Sequence, residues 1–376
     1  MCRIGEIYAE RSQRGATDME LLSVTMNDGV KPRCEIEGKN NSSEDKSNYK
    51  IVRTGDMVYN SMRMWQGANG ISPYNGIVSP AYTVLMPKCP ISNGYFAALF
   101  KSPNLINEFR KNSQGMTSDT WNLKYPQIET IKICIPSLAE QEHIADMLTI
   151  LDKRIATQSQ LVDSLKKYKR GVMQHIFRCS STQEGATWTC VQLGDVFKKV
   201  SRRNTNGTVK NVITNSAEYG LLPQRDFFDK DIAVDGNTSN YYVIEEGDFV
   251  YNPRKSNTAP YGPFNRYTLS EKGIISPLYT CLVLQADINP SYLAWYFRSD
   301  AWHRYIYDNG SQGVRHDRVS MTDDLLMGIP VMFPDYAKQQ VYADILDKVE
   351  ARLQAAQKEY DLLTKVKNGY VQRLFI

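Results

Sequence analysis

The chain contains a long internal repeat, and this repeat restricts the possible folds more than any other feature of the sequence. Residues 137–178 align with residues 335–376 at a constant offset of 198 and without a gap. The aligned identities include Gln141 with Gln339, Ala145 with Ala343, Leu148 with Leu346, Gly171 with Gly369 and Phe177 with Phe375. A repeat of this length predicts that one structural unit occurs twice.

Both copies carry apolar residues at alternating spacings of four and three. In the first copy this seam is interrupted at Gln158 and Lys169, and it otherwise contains Ile144, Leu148, Leu151, Ile155, Val162, Leu165, Val172 and Ile176. The second copy keeps the seam as Tyr342, Leu346, Val349, Leu353, Ala356, Tyr360, Leu363, Tyr370 and Leu374. A period of 3.5 residues is typical of a coiled coil rather than of a helix lying on a globular core.

Each copy is predicted to form one helix of about 40 residues, roughly 60 Å long. Ser137 and Glu140 make a capping box at the start of the first helix, whereas Asp335 is followed by Lys338 where the glutamate would stand. Because both helices are tethered in one chain, we expect them to pair and bury their seams against each other. The alternative is that each helix packs only on its neighbouring domain.

The segments that precede the helices repeat as well. Gly55–Asn60 matches Gly247–Asn252, and residues 78–82 match residues 275–279. Short β-branched and aromatic runs bounded by Gly, Pro and Asn predict strands. The predicted strands include 57–60, 82–86, 249–252 and 279–284, and the predicted helices are 94–101 and 291–307.

The sequence therefore predicts an α+β protein in which two mixed α/β domains are separated by two long antiparallel coiled-coil helices, with an internal pseudo-two-fold repeat. The predicted segments are a first domain at 1–136, a helix at 137–178, a linker at 179–187, a second domain at 188–334 and a helix at 335–376.

Composition excludes some classes of protein but does not identify a partner. Seven scattered cysteines without a Cys-x-x-Cys pair predict reduced thiols in a cytoplasmic protein and argue against a zinc site. Neither an apolar run of about 18 residues nor a secretory leader is present, so no membrane span is predicted. The net charge of +4 is too small to indicate nucleic acid by itself.

Motifs of nucleotide-using enzymes are missing from the sequence. It has no Gly-x-x-x-x-Gly-Lys-Ser/Thr phosphate loop and no Gly-x-Gly-x-x-Gly after a strand. Residues 252–255 read Asn-Pro-Arg-Lys, which lacks the aromatic ring that Asn/Asp-Pro-Pro-Tyr/Phe methyltransferase sites stack on a flipped base. The four histidines, 143, 175, 303 and 316, are dispersed. The sequence predicts neither a catalytic residue nor a cofactor in this chain.

Two loops that follow the repeated Gly-Asp-x-Val-Tyr-Asn strand are candidates for reading DNA. Arginine pairs with guanine and a carboxamide pairs with adenine, each through two hydrogen bonds. The candidates are Arg63, Trp65, Gln66 and Asn69 in the first half and Arg254, Lys255 and Asn257 in the second. Either loop alone could be an ordinary solvated loop, but an arginine at the same place in both copies favours function.

A second pair of aligned loops is also polar and Gly-rich, although Ser-Gln-Gly could simply form a turn. Its candidates are Ser113, Gln114 and Thr117 in the first half and Gln312, Arg315 and His316 in the second. Arg11, Arg14, Arg202 and Arg203 are predicted to hold phosphates without reading sequence. The basic residues of 166–170 and of 365–373 suit the helix dipole, with a phosphate contact as the secondary interpretation.

Residues 135–141, Ile-Pro-Ser-Leu-Ala-Glu-Gln, precede a long helix that ends with Lys-Arg-Gly-Val-Met-Gln at 169–174. This arrangement resembles the specificity subunits of Type I restriction–modification enzymes, and the resemblance covers the whole chain. It implies two target-recognition domains that read the halves of a split double-stranded DNA target in inverted orientation, with a gap set by the helices. The chain itself would be non-catalytic.

The resemblance also implies partners. Two modification subunits would carry S-adenosylmethionine and methylate adenine, and motor–nuclease restriction subunits would use ATP and Mg²⁺. The long helices would dock the modification subunits. The pattern departs from the family at residues 333–339, Phe-Pro-Asp-Tyr-Ala-Lys-Gln, and at the start, where the first domain lacks the Trp-containing leader of the second. That second departure suggests a trimmed or internal start.

Two other functions are compatible with parts of the sequence. The first is a fused enzyme that both reads and methylates DNA, against which the missing cofactor loop and tetrapeptide argue. The second is a structural coiled-coil scaffold whose globular parts ignore DNA.

Overall fold

The computed structural model describes residues 1–16, 18–38, 42–178, 188–227, 238–310, 317–319 and 321–375. The chain divides into two compact units. Unit 1 comprises Met1–Leu161 with Ala356–Ile376, and unit 2 comprises Val162–Ala355. The predicted linker 179–187 lies outside the described residues.

The elements of the first half, in chain order, are β1 (Cys2–Arg3), α1 (Ile4–Ile7), β2 (Tyr8–Glu10), β3 (Leu22–Thr25), β4 (Gly29–Pro32), β5 (Lys50–Val52), β6 (Met57–Asn60), β7 (Asn69–Ile71), β8 (Gly76–Val78), β9 (Tyr82–Pro87), α2 (Asn93–Leu99), α3 (Pro103–Asn112), α4 (Tyr125–Ile128), β10 (Lys132–Ile133) and α5 (Leu138–Arg178). Short 3-10 helices lie at Arg33–Glu35 and Met64–Gln66.

The second half continues with β11 (Thr189–Gln192), α6 (Leu193–Val196), β12 (Phe197–Val200), β13 (Ile213–Ser216), β14 (Gly220–Pro223), α7 (Gln224–Phe227), β15 (Tyr242–Ile244), β16 (Phe249–Tyr251), β17 (Phe264–Arg266), β18 (Gly273–Ile275), β19 (Thr280–Leu284), α8 (Pro290–Arg298), α9 (His303–Asn309), α10 (Asp323–Met327), β20 (Pro330–Phe333) and α11 (Tyr336–Leu374).

The two units have the same antiparallel sheet topology. Unit 1 has a four-stranded sheet in the order β2-β9-β6-β7, and unit 2 has the order β12-β19-β16-β17. In the part of the chain that the structure describes, three two-stranded pairs accompany each sheet: β1-β10, β3-β4 and β5-β8 in unit 1, and β11-β20, β13-β14 and β15-β18 in unit 2. The sequence repeat is therefore a repeat of topology, strand for strand.

Each core receives an aromatic residue from the end of a long helix. In unit 1, Phe375 at the end of α11 lies 5.3 Å from the Tyr95 ring, measured between centroids. In unit 2, Phe177 near the end of α5 lies 5.7 Å from the equivalent ring, Tyr292. Aromatic pairs in edge or tilted geometry are favourable beyond the area they bury, so both helix ends are fixed to a domain core.

The start of each long helix is held by a buried glutamine. Gln141 accepts a hydrogen bond from the Ser92 amide (3.2 Å) and donates one to the Pro136 carbonyl (3.0 Å). Gln339 makes the equivalent bonds with Asn289 (2.8 Å) and Pro334 (2.9 Å). The Gln of the Pro-Ser-Leu-Ala-Glu-Gln sequence therefore joins helix to domain.

Within each unit the two helix segments run antiparallel. In unit 1, Arg154 pairs with Glu359 (3.1 Å), and Gln158 donates to the Ala356 carbonyl (2.9 Å). In unit 2, Lys169 pairs with Glu350 (2.6 Å). The seam is buried at Val162, Leu165, Val349, Ala356 and Leu363, among others. The predicted fold class is confirmed, and the helices pack both on each other and on their domains.

One predicted helix is wrong. Residues 291–307 form two helices, α8 and α9, because Ser299 takes an extended conformation and its hydroxyl donates to the Tyr296 carbonyl (2.6 Å). The break lets Trp302 turn inward, where it is buried and donates its indole N–H to the Phe297 carbonyl (3.1 Å).

None of the helices in the described residues combines the length and the hydrophobicity that spanning a bilayer requires. The six described cysteines are free thiols.

Candidate nucleic-acid interface

The aspartate of the repeated Gly-Asp-x-Val-Tyr-Asn motif is a buried acceptor in both units. Asp56 accepts two hydrogen bonds from Arg11, at 2.7 and 3.0 Å, and one from the Arg53 amide (2.8 Å). Only 14% of the Arg11 side chain is exposed. Charge-assisted bidentate pairs of this kind are strong. The predicted phosphate contact of Arg11 is therefore corrected to a structural ion pair.

Arg202 occupies the equivalent place in unit 2. It pairs with the buried carboxylate of Asp248 and lies 3.4 Å from Glu245. Its side chain is 37% exposed, but its donors are directed toward these carboxylates. Arg202 is likewise corrected from a phosphate contact to part of the framework. Arg14 and Arg203, by contrast, are exposed and remain candidates for phosphate contacts.

The asparagine that ends the motif starts both candidate loops in the same way. The side-chain oxygen of Asn60 accepts from the Met62 amide (3.0 Å), and that of Asn252 accepts from the Arg254 amide (2.9 Å). Such a turn through an asparagine side chain fixes the direction in which the chain leaves the strand. Asn252 is therefore engaged in a turn, which argues further against a base-methylating tetrapeptide there.

In unit 1 the loop folds tightly onto the domain. Met64 is buried, and Gly67 has a φ of 84° and lies against Ile106. Asn69 is fully buried and donates to the Phe100 carbonyl (3.0 Å). The prediction that Asn69 reads DNA is wrong, because a base edge cannot reach it.

Arg63 and Gln66 remain exposed on this loop, beside Trp65. The Trp65 ring is partly buried and lies 5.1 Å from the Trp121 ring, and its indole N–H donates to the Met62 carbonyl (3.1 Å). The guanidinium of Arg110 lies 5.7 Å from the centre of Trp121. Trp121 and Arg110 were not included among the sequence-based candidates of this surface. The available signal was Trp121, an aromatic residue just beyond the second predicted loop.

The second loop of unit 1 is a closed turn. Gln114 and Asn122 exchange backbone hydrogen bonds (3.0 and 2.8 Å), and the hydroxyl of Ser113 donates to the Phe109 carbonyl (2.8 Å). The backbone of this loop therefore forms the turn that Ser-Gln-Gly was expected to allow. Ser113 acts as a helix cap, while Gln114 and Thr117 are exposed.

In unit 2 the first loop carries Arg254, which is 64% exposed with its Nε 3.7 Å from Asp317. The Lys255 amide donates to the Asp317 carbonyl (2.9 Å), and Asn257 is exposed. The predicted residues Gln312, Arg315 and His316 lie outside the described residues.

The first loop of each unit is joined at an equivalent position to the segment beyond the second loop. The Leu123 amide donates to the Ser61 carbonyl (2.8 Å) in unit 1, and the Val319 amide donates to the Pro253 carbonyl (2.9 Å) in unit 2. The structure thus brings the first loop next to the segment that follows the second, which no sequence pattern indicated.

A concave surface adjoins this region in each unit. In unit 1 it has a volume of about 630 Å³ and is lined by β3, Tyr82, Asn60 and Met62. In unit 2 it has a volume of about 800 Å³ and is lined by residues that include Lys255, Asn257, Tyr261 and Tyr307. The described part of the chain holds no cluster of three or more side chains that could bind a metal. Exposed guanidinium, amide and hydroxyl groups beside open grooves can bind a polar macromolecule.

Comparison with known proteins identifies the class. Residues 3–167 match the family described as the Type I restriction modification DNA specificity domain. The resemblance to the specificity subunits of Type I restriction–modification enzymes that the sequence predicts is confirmed.

Particular relatives extend the match. Over 130 residues the chain is 32% identical to the Type I restriction enzyme MjaVIII specificity subunit of Methanocaldococcus jannaschii, covering 34% of this chain and 29% of that protein. Over 370 residues it is 20% identical to the putative type I restriction enzyme MjaX specificity subunit of the same organism, covering 88% and 80%. The fold is similar to the crystal structure of a Type I S subunit from M. genitalium, with a TM-score of 0.56, 12% identity and coverage of 100% and 95%.

Proposed function

We propose that the chain is the DNA-recognition subunit of a Type I restriction–modification complex. Each unit reads one half of a bipartite double-stranded target, with Arg63 and Gln66 facing the bases in unit 1 and Arg254 and Asn257 facing them in unit 2. The chain is non-catalytic and carries no cofactor. It works in the cytoplasm, where the DNA target is found.

One observation supports this proposal most directly. In both units an equivalent backbone hydrogen bond ties the first loop to the segment that follows the second, and both units present an exposed arginine after the same asparagine turn. The loops themselves differ in length and residues. A shared frame with different tips is what reading two different half-sites requires.

The chemistry of modification and cleavage belongs to partners in this proposal. Two modification subunits bring S-adenosylmethionine, restriction subunits bring ATP and Mg²⁺, and the long helices dock the modification subunits. Titration of the purified chain with S-adenosylmethionine tests the division of labour. Stoichiometric binding would contradict a non-catalytic reader and favour a fused methyltransferase.

The test of DNA reading compares Arg63→Ala with Arg254→Ala. Losing a bidentate contact to guanine costs about 1–3 kcal/mol of discrimination at that base. We expect each variant to relax preference in only one half-site, measured by mapping methylated adenines in cells that express the complex. Arg53→Ala removes another exposed arginine of unit 1 and serves as the control. An equal loss on all sequences would reassign the residue to a phosphate contact.

A further inference from the structure

Unit 2 contains a basic cleft beside its first loop. The cleft has a volume of about 460 Å³. Lys166 and Arg170 of α5, Arg298 at the end of α8 and Thr258 of the loop line it. Its walls come from a long helix, a domain helix and the loop that carries Arg254, and different residues of that loop line the 800 Å³ groove.

The acidic groups around the cleft are already engaged. Glu350 pairs with Lys169 (2.6 Å), Asp300 pairs with Arg178 (2.5 Å), and Asp347 accepts the Trp295 indole N–H (2.7 Å). Among the residues that the structure describes, no carboxylate lies within ion-pair distance of Lys166, Arg170 or Arg298. Lys166 and Arg170 are therefore cations that no neighbouring acid pairs with, whereas the charge of Arg298 also interacts with Glu350 and Asp347, and its Nε donates to the Asn265 side-chain oxygen (3.4 Å).

Two of these cations repel each other, and the third stacks on an aromatic ring. Lys166 and Arg170 are four residues apart on one helix, where like charges repel. Arg298 lies with its guanidinium carbon 5.2 Å from the centre of Trp295, and Lys169 lies 5.3 Å from the same centre. The indole thus holds one more cation at the edge of the cleft.

The helix dipole does not account for this cluster. Its effect is confined to about the last turn of a helix, and Lys166 lies twelve residues before the end of α5 at Arg178. In the aligned helix of unit 1, Thr364 and Asn368 stand at the positions of Lys166 and Arg170. The residue aligned with Arg298 is Lys101, which donates to the Met26 carbonyl (2.6 Å). The repeat therefore does not need these charges for folding.

We propose that this cleft binds a backbone phosphate of the DNA that unit 2 reads. A loop that enters the major groove, about 12 Å wide, has a sugar–phosphate strand on each side. Thr258 places the cleft directly beside the loop. Lys166, Arg170 and Arg298 hold the phosphate and position the loop, but they carry no sequence information. This inference rests on the proposed function and adds the long helix α5 to the DNA-binding surface.

The test uses the full chain and the duplex that it protects from nuclease. In a phosphate-ethylation interference experiment, the double variant Lys166→Gln with Arg170→Gln should abolish interference at one or two adjacent phosphates of one half-site. We expect the slope of log affinity against log salt to fall by about 1 for each phosphate that the variant no longer binds. Affinity at 0.1 M salt should fall on the order of tenfold for each such phosphate. Base preference should stay unchanged.

A matched control removes the same charge elsewhere. Lys167 and Lys348 are exposed on the long helices of unit 2 and do not line the cleft. The double variant Lys167→Gln with Lys348→Gln should keep the full interference pattern. The charge-preserving pair Lys166→Arg with Arg170→Lys should keep it as well.

Three results would overturn the assignment, and they differ from one another. Suppose that ethylation of the same phosphates blocks binding of the double variant and of the wild type, and that both half-sites are still protected. The cleft then does not contact DNA, and the proposed function stands. If the wild type protects no duplex, the proposed function fails as well. If inorganic phosphate binds the wild type but not the double variant in calorimetry at constant ionic strength, and interference is unchanged, the cleft is a site for a free anion.

Discussion

The first loops of the two units begin alike and then diverge. Six residues separate Asn60 from Gly67 in unit 1, whereas nine separate Asn252 from Gly262 in unit 2. Both loops then return to the sheet in the same way, because the Asn60 amide donates to Ala68 (3.0 Å) and the Asn252 amide donates to Pro263 (2.9 Å). The insertion thus lies wholly at the tip of the loop.

The length of each loop determines which surfaces around it stay accessible to solvent. The short loop buries Met64 and packs Gly67 against Ile106 of α3, while residues of the longer loop line two concave surfaces. The frame of strand, asparagine turn and returning hydrogen bond is common to both. The frame therefore provides stability, while the tips and their surroundings distinguish the two units.

The largest effect is expected when the aspartate of the repeated motif is removed, and it tests whether the two units depend equally on that residue for stability. Asp56→Ala leaves the Arg11 guanidinium, 14% exposed, without its carboxylate, and breaking such a buried pair costs about 3–5 kcal/mol. Asp248→Ala should cost less, because Arg202 is 37% exposed and keeps Glu245. Hydrogen exchange on peptides covering β6 and β16 measures each local loss. Equal losses would refute this asymmetry.

The next largest effect on stability is expected when the glycine at the end of each loop is replaced by alanine. Gly262 has a φ of 85°, and a Cβ atom there would collide with the Asn252 carbonyl oxygen. Gly262→Ala should therefore lower the free energy of unfolding by roughly 2–4 kcal/mol. Gly67→Ala, with a φ of 84° but only the flexible end of Ile106 nearby, should cost about 1 kcal/mol. Urea denaturation of both variants measures the two losses in the free energy of unfolding. A larger loss for Gly67→Ala would contradict the prediction.

The glutamines at the helix starts should respond equally. Gln141→Leu and Gln339→Leu each leave a buried amide and carbonyl unpaired, which costs about 1–3 kcal/mol. Because the bonds of Gln141 and Gln339 are equivalent, the two losses in thermal or urea unfolding should agree within error. A marked difference would mean that the two helix starts are not held in the same way.

The weakest effect should be a pH dependence that only unit 2 shows. Burial lowers the pKa of His303, and the nearby Asp300 offsets part of this effect. The unfolded chain therefore takes up a proton before the folded chain does, so stability falls as pH drops below about 6.5. His303→Ile, which introduces the residue aligned with it in unit 1, should flatten the fall in stability below about pH 6.5. An unchanged slope would show that His303 is not responsible.

The long helices and the repeat could be predicted from the sequence because their signals are local and periodic. The 3.5-residue seam predicted the coiled coil, and the matched strands predicted two domains of one topology. The break between α8 and α9 could not be predicted, because the burial of Trp302 that accompanies it depends on a core formed by residues distant in sequence.

The candidate site divides in the same way. The sequence determined which loops carry arginine, asparagine and glutamine, since residue types and turns are visible in one dimension. Only the tertiary structure decided that Arg11 and Arg202 pair with carboxylates of the fold and that Asn69 is buried, while Arg63 and Arg254 face solvent. It also placed Lys166 and Arg170 beside Thr258. Burial and neighbouring charge depend on residues far apart in the chain, and they determine whether a charged side chain stabilises the fold or remains available to bind DNA.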